Sequence, residues 1–184
     1  MKQPTLLLLF MASVAMVYSQ HTERYKALVN TIKAKDTSSY TYYYKNDSIK
    51  ETGKQIAYER PEYTYHKKFG EVKTYYPTGQ LKSIETYDGY GNILDAHFYN
   101  LDGTTWWKSK TLEIDSELTT VETYFTHETP TIITKELWEY TLGKKERYGE
   151  IYLRAVGKVK NGKKTGVWTV YDELGKVEEQ VDYN

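Results

Sequence analysis

The side chains best suited to proton transfer or metal ligation near neutral pH are the four histidines, His21, His66, His97 and His127. None has a histidine or acidic neighbour at a familiar metal-ligand spacing, so they read as surface or strand histidines. The chain has no cysteine, which excludes disulfides, thiol catalysis and cysteine zinc sites. No serine sits in a G-x-S-x-G elbow, and no glycine-rich loop leads into a helix as phosphate binding requires. Carboxylates such as Glu71, Glu85 and Asp95 are scattered. Nothing in their spacing brings two of them to the roughly 5–10 Å of a glycosidase pair. The expectation is a protein that is not an enzyme, with no catalytic residue, no metal ligand and no cofactor.

Binding residues are easier to nominate. Trp106 and Trp107 are adjacent. On a strand, successive side chains point to opposite faces, so one ring is expected in the core. The other is a candidate to stack on a sugar or anchor a protein partner. Tyr75 and Tyr76 pose the same question, with Tyr75 assigned to the structural face and Tyr76 the candidate. Lys158, Lys160, Lys163 and Lys164 surround Asn161-Gly162, with Lys144, Lys145 and Arg147 nearby in sequence. Lys160, Lys163 and Lys164 are candidate contacts for an anionic envelope polymer or lipid head group. The plainer reading is a solvated hairpin whose lysines discourage edge-to-edge pairing.

These residues must be positioned by something, and the N-terminus shows where it works. Lys2 precedes an uncharged, largely apolar run of twelve residues, Leu6 to Val17. Val17 and Ser19 suit the −3 and −1 sites of a signal peptidase, completing the three parts of a secretory signal over residues 1–19. A membrane span needs roughly 20 apolar residues, so no stable membrane insertion is expected after cleavage. The expected address is periplasmic or extracellular. Basic and acidic residues balance at 25 each, and loss of Lys2 leaves a net charge of −1. A near-neutral chain has no global field to draw nucleic acid, which is not expected as a partner. Mean hydropathy is −0.72, low for a deep aliphatic core. Yet 20 Tyr, 4 Trp and 4 Phe are present, and Tyr lets one ring be buried with a wet tip, as a thin sheet requires.

Tyr25, Leu28, Val29 and Ile32 form one helical stripe, with Thr22 as cap and Glu23 in the first turn. The spacing predicts a short amphipathic helix over 23–34, within an N-terminal helix-and-linker segment 20–39. From residue 40 to 184 the pattern has period two, as in Tyr40, Tyr42 and Tyr44, or Trp138 and Tyr140. Asp88-Gly89, Asp102-Gly103 and Asn161-Gly162 punctuate the runs as hairpin turns.

A phrase repeats within this region. Tyr75, Tyr87 and Tyr99 are 12 residues apart, and each is followed four residues later by Gly79, Gly91 or Gly103. Tyr171 and Gly175 repeat the phrase. Gly70, Val72, Tyr75, Gly79 and Leu81 superimpose without gaps on Gly166, Trp168, Tyr171, Gly175 and Val177. Tyr closes a strand, three residues turn, Gly takes a positive φ, and an aliphatic residue opens the next strand. A 12-residue step fits either two very short strands or one longer strand with its turn.

At Gly166–Val177 and Val72–Ser83 the chain resembles the bacterial variant of MORN repeats, well over 70–108 and 157–183 and poorly over 110–150. Thr111 to Ile133 keep strand composition but lose the glycine phrase. The resemblance implies a mainly β fold, an elongated antiparallel sheet of successive β-hairpins. It also implies the class often labelled antitoxin-like, in which repeats bind or scaffold, and it carries over no catalytic residue. The expected function is an exported, non-catalytic protein-binding or scaffold module with a protein or envelope-polymer partner. The alternative is a carbohydrate- or lipid-binding module using exposed aromatics and the lysine-rich turn.

Overall fold

The computed structural model describes residues 20–59, 63–128 and 130–184. The expected leader, residues 1–19, lies outside the described residues. Ten antiparallel strands form one unclosed sheet in sequence order. They are β1 (Asp36–Tyr43), β2 (Ile49–Glu59), β3 (Thr64–Tyr75), β4 (Leu81–Tyr87), β5 (Ile93–Tyr99), β6 (Thr105–Asp115), β7 (Ile132–Leu142), β8 (Ile151–Lys160), β9 (Lys163–Tyr171) and β10 (Val177–Tyr183). Two short helices accompany them among the described residues, α1 (Glu23–Val29) and α2 (Val121–Thr126). The fold is mainly β, as the repeats imply.

One turn recurs five times. The N–H groups of Tyr44, Tyr76, Asp88, Asn100 and Asp172 donate to the carbonyls of Ser48, Gln80, Asn92, Thr104 and Lys176 at 2.8–2.9 Å. The fourth residue of each turn has positive φ: Asp47, Gly79, Gly91, Gly103 and Gly175. That conformation brings Cβ against the following carbonyl, which is why glycine fills four of the five places. The 12-residue step is therefore one seven-residue strand and its five-residue turn.

Each of these turns is followed by a bulge at the same place. Pairing resumes at Ile49, Leu81, Ile93, Thr105 or Val177, and then skips Lys50, Lys82, Leu94, Trp106 or Glu178. A bulge sets two residues of one strand against one of its partner and re-aims a side chain.

A single sheet buries little, so cores form only where something covers it. The first is built by the helices: Tyr25, Leu28 and Val29 of α1 pack with Leu94, Ile114 and Tyr124. Thr22 caps α1 as expected, its Oγ1 accepting from Tyr25 N at 3.1 Å. The helix ends at Val29, short of the expected residue 34. Asn30 and Thr31 are poor helix formers, and the chain must turn to begin pairing at Lys35, whose N–H donates to Ala57 O. Ile32 still packs on the cluster from outside the helix. α2 corrects the expectation of strand structure through Thr111–Ile133. Thr120 caps it, and its buried Tyr124 meets Tyr25, hydroxyl to hydroxyl, at 3.0 Å. The second core is Ala155, Val159 and Trp168, with Leu137 and Val170 against it.

A candidate binding groove over β6 to β9

Directly opposed residues of an antiparallel pair share a face. One such row runs Ser83, Phe98, Trp107, Glu139, Ala155 and Val170. The Trp107 ring stacks on Phe98, with centroids 4.1 Å apart and planes at 17°. Trp106 is the bulge residue after the fourth turn, Asn100–Thr104, and it is 52% exposed. Because of the bulge, the two indoles do not simply take opposite faces. Both border one groove of about 600 Å³.

Leu137 and Val159 contribute the apolar lining of this groove, and Glu139, Arg154 and Lys164 its charges. The charged groups are held in place. Lys164 Nζ sits 3.8 Å from the centre of the Trp168 ring and 3.1 Å from Glu139 Oε2. Arg154 donates to Tyr171 O at 2.6 Å and pairs with Glu178. Lys135 also lines the groove. Burial lowers its pKa, opposed by the Glu85 carboxylate.

The structure brings Trp106, Trp107 and Lys164 together and leaves the other nominated residues apart from them. Tyr76 is committed to the scaffold: its hydroxyl donates to Tyr99 O at 2.8 Å and its ring lies under Lys82 Nζ at 5.8 Å. Tyr44 makes the equivalent bond to Tyr75 O. Lys160 and Lys163 are exposed and face each other across the Asn161-Gly162 turn. Lys144, Lys145 and Arg147 are not near that turn. They precede β8 and the turn follows it, so a ten-residue strand of roughly 33 Å intervenes. Their backbone N–H groups cradle the Glu173 carboxylate at 2.7–3.2 Å.

Sequence reasoning missed Leu137 and Glu139, which lie in the segment without a repeat phrase, and Arg154 on β8 just beyond it. It missed a signal for Trp106 as well. Aligning the turns puts Trp106 where Lys50 and Lys82 stand, each over the ring of Tyr44 or Tyr76. The matching turn residue here is Asn100, and Trp106 makes no ring contact among the described residues.

His97 is held at both nitrogens, by Thr105 Oγ1 at 2.9 Å and Tyr99 OH at 3.0 Å, and burial followed by the Lys108 charge lowers its pKa. Among the described residues no three His, Asp or Glu side chains are placed to share a metal ion. Among the same residues no helix is long and apolar enough to cross a membrane.

No curated protein matches the chain. Residues 70–88 and 164–184 match the family model described as MORN repeat variant. The matched segments share geometry as well as sequence. Gly70 and Gly166 have φ of 64° and 61°, Val72 and Trp168 are buried, and Tyr75–Leu81 and Tyr171–Val177 are equivalent turn-closing pairs. At these two places the chain is similar to MORN repeat variant proteins, a family of repeat modules that generally bind protein or lipid and not a family of enzymes.

Proposed function

We propose that this chain is an exported, non-catalytic protein-binding module of the cell envelope or extracellular space, with the groove over β6 to β9 as its docking surface. The groove's mixed character carries the reading. Its lining combines apolar Leu137 and Val159, an exposed indole at Trp106, and pre-positioned charges at Glu139, Arg154 and Lys164. Protein interfaces use such aromatic and Arg anchors beside held polar groups. Exposed rings elsewhere, including Tyr42, Tyr63, Tyr148 and Tyr183, are scattered over strands, turns and both sheet edges. That arrangement supports protein docking over a sugar-stacking platform. Export rests on the signal-like leader over residues 1–19.

A second reading, a carbohydrate-binding module, is favoured by one observation, the unstacked Trp106 ring. Affinity capture from envelope extract separates the two. The expected result is a protein partner retained by the wild type and lost in Trp106→Ala and Trp107→Ala, with melting temperature unchanged in Trp106→Ala. Retention by both variants would remove the groove from the reading. Loss of a glycan in place of a protein would establish the second.

A further inference from the structure

The groove beside Trp107 does not end at Lys135. A second groove of about 380 Å³ lies on the other side of that residue, and the two share Lys135 and Gly162. Tyr87, Tyr90 and Tyr124 wall the second groove, and Lys67 stands over Gly91 at its edge. Between them, the two grooves are lined by Thr131, Ile133, Lys135, Leu137, Glu139 and Thr141. From Ile133 on these are every second residue along β7, with Thr131 just before it, and alternate residues of a strand share a face. Tyr140 also lines the groove, where the β7–β8 register shifts. The two grooves are thus one trough with β7 as its floor, roughly 33 Å long at about 3.3 Å per residue.

The trough is cationic. Among the described lining residues, Lys67, Lys135, Arg154 and Lys164 stand against the carboxylate of Glu139, with Glu85 acting on Lys135 from outside the lining. Arg154 is paired to Glu178 and Lys164 to Glu139. Lys67 and Lys135 have no ion pair among the described residues. Lys135 is also half-buried, and burial lowers its pKa, with the Glu85 carboxylate, which makes no ion pair with it, only opposing that shift. The floor reads apolar, basic, apolar at Ile133, Lys135 and Leu137. One face of an extended peptide presents side chains at the same two-residue repeat as that floor.

We infer that the trough along β7 receives an extended acidic peptide segment of a partner protein, with a carboxylate against Lys135 between two apolar side chains against Ile133 and Leu137. This inference rests on the docking reading above and names its partner's chemistry. About ten extended residues fill the trough.

The test is fluorescence anisotropy with the purified full chain and labelled ten-residue peptides centred on Leu-Ser-Glu-Ser-Leu. The comparison peptides replace Glu by Lys, or permute the same residues so that the alternation is lost. Both should bind at least about tenfold more weakly than the parent. Lys135→Gln and, separately, Lys67→Gln should each weaken the parent peptide by about tenfold, while Lys158→Gln changes nothing. Lys158 lies across from Glu136, on the face opposite the trough. Equal binding of the permuted peptide, or an equal loss in Lys158→Gln, overturns the inference in favour of non-specific charge attraction. So does binding of polygalacturonate or phosphatidylglycerol vesicles, lost in Lys135→Gln, where no peptide binds. If extract yields a protein partner that Trp106→Ala loses while the acidic peptide shows no binding, the inference falls and the docking reading stands. Absence of both peptide binding and partner capture removes the two together.

Discussion

Gly157 on β8 lies directly beneath the indole of Trp168 on β9, so that a Cβ at position 157 would run into the ring carbons. Trp168 is 1% exposed and its Nε1 donates to Lys158 O at 2.9 Å. The first matched segment repeats the arrangement with a smaller side chain. A Cβ on Gly53 of β2 would meet Cγ2 of Val72 on β3 at 2.7 Å. A hole in one strand thus receives the buried residue of the next, and in the second repeat the same side chain supports Lys164 at the groove.

Gly157→Ala should destabilise the protein by about 1–3 kcal/mol through overpacking. Trp168→Ala should cost about 3–5 kcal/mol by emptying the second core. The double variant should lose less than the sum, because without the indole the added methyl has space. Urea unfolding of the three variants measures this, and strict additivity would contradict the packing described.

Gly79→Ala and Gly175→Ala should each cost about 1–2 kcal/mol, and by similar amounts. Nothing lies within 4 Å of a Cβ at either position, so the cost is conformational alone. Gly91→Ala should cost more, because its Cβ would also press on Lys67 at 3.1 Å. The ranking can be read from denaturation midpoints.

Tyr25→Phe should cost about 1–3 kcal/mol by leaving buried partners unsatisfied. Its hydroxyl accepts from Asn92 Nδ2 at 2.7 Å and meets that of Tyr124 at 3.0 Å. Asn92 in turn bonds Asp88, which His21 Nε2 meets at 2.9 Å. The network ties α1, α2 and the β4–β5 turn together. Amide exchange should therefore accelerate over residues 22–29 before it does in β8 and β9.

The Glu173 cradle should fail in acid. Backbone N–H groups of Lys144, Arg147 and Lys145 favour the carboxylate and lower its pKa from 4.5 to about 2. A depressed folded value means the contribution is complete above the unfolded carboxylate range and is lost as pH falls from about 4.5 through about 2. The amide resonances of Lys144, Lys145 and Arg147 should titrate together with a midpoint near the lower value. In Glu173→Gln that titration should vanish.

The Tyr-x-x-x-Gly phrase was enough to place Tyr75, Tyr87, Tyr99 and Tyr171 at strand ends and their glycines in the turns, because positive φ and strand periodicity are local properties. The stripe of Tyr25, Leu28 and Val29 was legible for the same reason. The end of α1 was not, since it is set by where Lys35 must reach Ala57. Nor was α2, six residues too short to carry a periodic signal, which exists because Tyr124 has Tyr25 to pack on.

By itself the sequence determined the kind of sheet, its turn chemistry, and Trp106, Trp107 and Lys164 as residues worth attention. Only the tertiary structure decided that these three share one groove with Leu137, Glu139 and Arg154, and that Tyr76 is spent on a carbonyl. Turn conformation depends on a few neighbouring residues, and a repeat displays it. A groove depends on cross-strand register and on a bulge at Trp106, which join residues as far apart as Trp107 and Lys164 that no local pattern connects.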